Sequence, residues 1–279
     1  MTILVTGARG NVGRRVLQRL YAAGHSLRAS GRNPAELDVP EGVETVALDL
    51  NDPETFVAAL AGVSKVLLYA EPEGINAFLD VADKAGVEHI VLLSSDTLYL
   101  DDVESDPLAH HHKIVEDALI SSGLPYTILR PGAFCTNAFL WSHALKAGDT
   151  IDQVFAESQV APIHEDDIAD VAVVALTEKT LENEILHLTG PESLTFRREL
   201  EIIGEVLGRD IVVNDLTREE GHAAMSPFVE ADILRSLLNQ WETGVGVTAV
   251  TSATAERITG KPARTFREWA EEYAQYLVA

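Results

Sequence analysis

The sequence predicts an α/β fold: a doubly wound parallel sheet followed by a smaller, mostly helical C-terminal lobe. Three observations predict it. Short apolar β-type runs alternate with amphipathic helical stretches from the first residues to about residue 132. A glycine-rich turn joins the first strand to the first helix. After Phe134 the rhythm stops, and helical patterns separated by polar stretches take over.

The elements follow in order. Thr2–Val5 is a β-type run, and Arg14–Ala23 a helix with Val16, Leu17 and Leu20 on one face. Ser26–Ser30 and Glu44–Leu48 read as the second and third strands. Asp52 is placed to cap a helix over Pro53–Leu60. Lys65–Ala70 is a strongly apolar fourth strand. Ile75–Ala85 is helical and stops at Gly86. His89–Ser94 is continuously apolar, as a strand covered on both faces should be. A helix over Lys113–Ser121, closed by Gly123, precedes a sixth strand at Tyr126–Arg130. Right-handed crossovers between such units give helices on both faces of the sheet. Beyond it, helices are expected at Asn137–Lys146, Glu165–Leu176, Phe196–Leu207, Ser226–Asn239 and Thr265–Leu277, with a last sheet strand at Glu184–Leu188. The nucleotide-type domain is thus expected over residues 1–134, completed by 160–190. Residues 135–159 and 191–279 form the second lobe.

Composition narrows the function. The chain has 279 residues, 46% hydrophobic and 23% charged, enough for a sizeable core. Its formal charge of −23 repels nucleic-acid phosphates and anionic lipid surfaces, so neither is an expected partner. A local basic pocket can still hold a phosphate, because short-range contacts outweigh a screened distant field. A single cysteine, Cys135, excludes an intrachain disulfide and suits a reducing compartment. No apolar run approaches the roughly 20 residues of a membrane helix, and no signal-peptide pattern opens the chain. A cytoplasmic location is expected.

The segment Gly7-Ala8-Arg9-Gly10-Asn11-Val12-Gly13 carries the chemistry. Gly7 permits the tight turn, Gly10 admits a diphosphate close to the backbone, and Gly13 lets the helix pack against the sheet. The free N–H groups and positive end of the following helix then receive phosphates. The pattern follows the first strand and opens a helix, the context a Rossmann-type dinucleotide site requires. The second strand ends Ala29-Ser30-Gly31-Arg32. A carboxylate at that edge would bond the ribose 2′-hydroxyl of NADH, and none stands there. Arg32 instead suits a 2′-phosphate, and Arg9 adds a second charge, so NADPH is expected in preference to NADH. Asp49 and Leu50, after the third strand, are placed to flank the adenine.

These residues resemble a family. Thr6-Gly7-xx-Gly10-xx-Gly13 is similar to the glycine motif of extended and atypical short-chain dehydrogenases/reductases. Gly31-Arg32-Asn33-Pro34, the run Ser121-Ser122-Gly123-Leu124-Pro125-Tyr126 through Gly132, and His164-Glu165-Asp166-Asp167-Ile168-Ala169-Asp170 resemble the NmrA-like branch. So do Thr189-Gly190-Pro191-Glu192 and Gly260-Lys261-Pro262-Ala263-Arg264-Thr265-Phe266. The resemblance implies a cleft between the Rossmann domain and the helical lobe. It implies that Gly7, Arg9, Gly10, Asn11, Val12, Arg32 and Asp49 hold the adenosine half. Tyr69, Ala70, Ser94 and Ser95 would line the path to the nicotinamide, and Pro131, Gly132, Ala133 and Phe134 would sit beside its ring. Members of the branch include NADPH-dependent quinone reductases, reductases of aromatic natural products, and redox-sensing regulators without catalysis.

One feature of the wider superfamily is missing. Its Tyr-xxx-Lys pair would place a tyrosine four before Lys113, where Ala109 stands. Aligning instead on Glu116 puts His112 in the lysine position and Leu108 in the tyrosine position. An isolated ketone needs a placed proton donor. A quinone accepts hydride with aromatic stabilisation of its product and needs one far less. His112 is the candidate for a residual catalytic role, as a proton donor near physiological pH or as a ribose ligand, with Glu116 as its partner one turn on. The alternative for His112 is a surface histidine with no chemistry. Consecutive His110, His111 and His112 point in different helical directions, so no metal site is expected. The acidic run Asp101–Asp106 reads as a solvated mobile loop. Phe134, Phe139 and Trp141 either stack on an aromatic substrate or pack in the core. Two functions stay open: an NADPH-dependent oxidoreductase passing hydride to a quinone or related aromatic carbonyl, and a non-catalytic NADP(H) redox sensor. A homodimer or a regulatory protein partner is compatible with either.

Overall fold

The computed structural model describes residues 1–279. In the first part β1 (Thr2–Val5), α1 (Gly13–Ala22), β2 (Ser26–Gly31), β3 (Glu44–Ala47), α2 (Phe56–Leu60), β4 (Val63–Tyr69), α3 (Ile75–Ala85), β5 (His89–Leu93), α4 (Pro107–Ser122) and β6 (Tyr126–Pro131) follow one another. Then come α5 (Ser142–Ala147), β7 (Thr150–Val154), β8 (Gln159–Val160), α6 (Glu165–Thr177), β9 (Glu184–Leu188) and β10 (Leu194–Thr195). The chain ends with α7 (Phe196–Leu207), β11 (Val212–Leu216), α8 (Arg218–Met225), α9 (Ala231–Thr243), α10 (Thr254–Thr259) and α11 (Phe266–Val278).

Seven strands pair in parallel in the order β3-β2-β1-β4-β5-β6-β9. This is the expected doubly wound, Rossmann-type sheet. The chain turns from one half of the sheet to the other between β1 and β4, where Val5 pairs with Leu67. A crevice opens at the carboxyl ends of strands at such a reversal. Each face of the sheet has its own core. On one, Val16, Leu17 and Leu20 of α1 meet Ile168, Ala172 and Leu176 of α6. On the other, Phe56, Phe78, Leu79, Val115 and Leu119 from α2, α3 and α4 pack together. A third core, with Trp141, Leu200, Ile203, Phe266 and Trp269, joins α5, α7 and α11.

The acidic segment resembling the NmrA-like branch fastens the assembly. Asp166 pairs with Arg15 at 3.0 Å, Asp170 with Arg19 at 2.7 Å, and Asp167 accepts from the Arg264 backbone N–H at 2.8 Å. The N-terminal turns of α6 thereby hold α1 and the entry to α11.

The structure departs from expectation in places. Helix α4 starts at Pro107, six residues before the expected Lys113, because Asp106 caps it by accepting from the Ala109 N–H at 2.9 Å. Asp106 also accepts from Ser236 of α9 at 2.6 Å, so the end of the acidic run is an anchor between lobes and not simply a solvated loop. Strands β7 and β11, which pair in parallel, were not expected. Helix α9 starts at Ala231, not Ser226. No helix is long and apolar enough to cross a membrane.

Candidate functional site

The glycine loop takes the conformation its residues require. Gly7 has φ +59°, and its carbonyl accepts from the Gly10 N–H at 2.8 Å. A Cβ built on Gly13 would lie 2.3 Å from the Gly7 oxygen and 2.9 Å from its carbonyl carbon, so only glycine lets α1 start this close to the loop. Helix α1 has no side-chain cap and no acidic residue in its first turn. Its N-terminal N–H groups and dipole are thus available to an anion. Above them a cavity of about 710 Å³ is walled by the loop, by Ser30–Asn33 at the end of β2, and by Tyr69.

A second cavity of about 290 Å³ lies at the ends of β4, β5 and β6. Ala70, Ser94, Ser95, His112, Pro131 and Gly132 line it. The two share Tyr69, Leu93 and Phe134, so they form one cleft across the reversal in strand order. Of the expected site residues, Gly7, Arg9, Gly10, Asn11, Val12 and Arg32 wall the larger part, and Tyr69 and Phe134 stand at the junction. Three lie off both walls. Leu50 turns into the core beneath α2, so its side chain does not face the cleft. Asp49 is half-buried, and its carboxylate accepts from the Asn51 N–H at 3.1 Å. Ala133 uses its carbonyl to accept from Ile163 N–H at 2.8 Å. That bond, with Cys135 N–H to Ile163 O at 2.9 Å and Thr136 N–H to Glu165 at 2.8 Å, pins the turn that presents Phe134.

Charge in the larger cavity differs from the sequence expectation at one point. Arg32 is exposed on the cavity wall and has no side-chain partner. Arg9, however, is paired with Glu36 at 2.8 Å, and Glu36 also accepts from Asn33 Nδ2 at 2.8 Å. Although the strand edge itself has none, the cavity wall beyond β2 therefore does carry a carboxylate. It stands five residues past Gly31, and a turn capped by Asn33 brings it back to the cavity.

The smaller cavity corrects the reading of His112. Of the residues singled out by the two alignments, His112 lines the cavity, while Lys113 points away and pairs with Asp117. Burial, reinforced by His111, pushes the His112 pKa down to about 4. The ring is neutral near pH 7, so imidazolium is not its proton source. Glu116 is not its partner either. The buried Glu116 carboxylate accepts from Ser94 Oγ at 2.5 Å and makes a two-pronged pair with Arg130, at 3.0 and 2.6 Å. Arg130 lies 4.8 Å from the Tyr99 ring centroid, and Tyr99 packs edge-on against His187. This network, invisible in the sequence, fixes Ser94 on the cavity wall. His112 Nδ1 is buried with no partner. The only other ionisable side chain on this wall, Tyr69, has its pKa raised by burial, with Glu71 and Asp49 adding to it. Trp141 belongs to the lobe core and donates to Gln153, Phe139 is exposed and packs edge-on against Trp269, and only Phe134 of the three aromatics reaches the cleft. Cys135 is buried and its thiol pKa is pushed up by burial, so it is not a reactive group here.

A family model described as NAD(P)H-binding matches residues 7–179. The chain is 33% identical to a (4-alkanoyl-5-oxo-2,5-dihydrofuran-3-yl)methyl phosphate reductase of Streptomyces griseus, over 98% of each chain. It is 30% identical to an NAD(P)H azoreductase of Xenophilus azovorans, again over 98% of each. Its fold superposes on a crystal structure of an NADPH-dependent quinone oxidoreductase from Escherichia coli with a TM-score of 0.82, at 25% identity, covering 98% of this chain and 99% of the other. The matched segment begins at the glycine loop and runs through every strand of the sheet but β1 and β9, so by sequence and by cleft alike the chain belongs to the NAD(P)H-binding family.

Proposed function

We propose that the chain is an NADPH-dependent reductase whose acceptor is a quinone or a related electron-poor conjugated compound. The observation that carries this is the chemistry of the smaller cavity. Its wall holds a neutral histidine with a pKa of about 4 and a tyrosine with a raised pKa, so no side chain there readily gives up a proton near neutrality. An acceptor that takes hydride into a delocalised system suits such a site, and its proton can come from solvent. The relatives named above carry acceptors of this kind in their names: a conjugated furanone, an azo compound and a quinone.

Bound dihydronicotinamide would supply the hydride. The residues' part is placement. The loop Gly7–Gly13 and Arg32 would hold the diphosphate and 2′-phosphate, Ser94 and His112 the nicotinamide ribose, and Pro131, Gly132 and Phe134 one side of the ring. Preference for NADPH rests on the unpaired Arg32.

The test is turnover. Purified protein with NADPH and a panel of benzoquinones, naphthoquinones, anthraquinones and azo dyes should consume the nicotinamide absorbance only when an acceptor is present. Tight NADPH binding without turnover of any acceptor would refute the enzyme and support a non-catalytic redox sensor, a reading the missing acid also favours.

A further inference from the structure

The larger cavity has three charged side chains on its wall: Arg9, Arg32 and Glu36. Both oxygens of Glu36 are engaged, Oε2 with Arg9 and Oε1 with Asn33, so the carboxylate ties the glycine loop to the turn after β2. The Asn33 turn fixes this geometry, with Asn33 accepting from the Ala35 N–H and the Glu36 N–H reaching the Asn33 carbonyl at 3.2 Å.

We propose that Glu36 sets the preference between NADPH and NADH by competing with the 2′-phosphate for Arg9, an inference that rests on the cofactor reading above. A 2′-phosphate entering between Arg9 and Arg32 adds nearly two negative charges beside an existing carboxylate. The Arg9–Glu36 pair is exposed on both sides and is therefore weak, so Arg9 can be drawn to the phosphate. The opposing effect is the like-charge repulsion that remains between Glu36 and the phosphate. NADH brings no charge to this point and leaves the pair intact. Glu36 thus lowers the affinity for NADPH alone and keeps the site open to both cofactors.

The measurement compares Glu36→Gln with the wild-type chain, since glutamine keeps the shape and an accepting oxygen while removing the charge. Dissociation constants are read for NADPH and NADH, and for adenosine 2′,5′-bisphosphate against AMP as fragments that isolate this end of the cleft. The expected result is about tenfold tighter binding of NADPH and of the bisphosphate, with NADH and AMP unchanged within about twofold. The gain should shrink as salt is raised. Glu36→Ala, its folding checked by thermal melting, must shift selectivity in the same direction. Equal shifts for both cofactors, weaker NADPH binding, or a loss confined to NADH would each overturn the proposal, the last because the carboxylate would then be reading the ribose hydroxyl. A wild-type chain that binds neither cofactor overturns the parent reading, whereas intact binding with unaltered selectivity in the variants overturns only the role of Glu36.

Discussion

Replacing Gly13 by alanine separates two jobs that the glycine loop performs. The added methyl would stand 2.3 Å from the Gly7 oxygen, about 1 Å short of ordinary contact, and 2.9 Å from the Gly7 carbonyl carbon. Both obstacles are backbone, so the start of α1 must lift from the loop. Overpacking of this kind costs about 1–3 kcal/mol, and with two backbone atoms in the way the upper end is expected. At roughly 2–4 °C per kcal/mol for a chain of this size, the melting temperature should fall by about 6–12 °C. NADPH affinity should fall with it, by about tenfold or more, because the amides that face the diphosphate move. Gly10→Ala is the contrasting variant. Its methyl meets only the Gly7 oxygen, at 3.2 Å, and Gly10 is exposed on the cavity wall. It should leave the melting temperature within about 2 °C of wild type yet weaken NADPH about tenfold, since it fills the space a diphosphate would use. The assay is thermal melting paired with fluorescence titration of NADPH. Equal melting temperatures for the two variants, or wild-type affinity in Gly10→Ala, would refute the packing argument.

Three further outcomes are expected. Arg32→Ala removes an unpaired cation and so should leave stability unchanged, while NADPH weakens by about 10–100-fold and NADH by less than about threefold; parallel losses in titrations with both cofactors would show that Arg32 does not read the phosphate. Glu199, wholly buried in α7, keeps its proton up to about pH 8 in the folded chain and ionises near 4.5 when unfolded. The folded state then holds the extra proton between those values, so stability falls as pH rises through that window, by about 1.4 kcal/mol per unit. Glu199→Gln should abolish this slope in melting curves taken from about pH 5.5 to 7.5; identical slopes in both proteins would contradict it. His112 is neutral throughout that range, so kcat/KM profiles of wild type and His112→Ala should share one shape. An inflection near 6.5 present only in the wild type would restore imidazolium to the chemistry.

The sheet was legible because its signals are local. Val16, Leu17 and Leu20 reveal a helix by spacing, His89–Ser94 a buried strand by unbroken apolarity, and Gly7, Gly10 and Gly13 a turn by type. The C-terminal lobe was less so. The pairing of β7 with β11 joins polar stretches about sixty residues apart, such as Asp152 with Asn214, and neither strand advertises itself without its partner. The site divides in the same way. Residues at strand ends, such as Arg32, Ser94 and Pro131, reach the cleft because topology puts strand ends there. Glu36 was missed because it arrives through a turn and not at the strand edge. The Glu116 register puts His112 on the cleft wall, but its protonation is set by the burial of that face of α4 and by His111, and a sequence carries no record of solvent. The Ser94–Glu116–Arg130 network has no sequence signature, since its three members come from β5's end, α4 and β6.

Backbone amide resonances of isotopically labelled full-length protein, followed while NADPH is added, test the proposed cofactor site most directly. Saturable shifts should concentrate at residues 7–13 and extend along the cleft to Ser94 and His112. Shifts absent from residues 7–13 at saturating NADPH, or confined to another surface, would contradict it.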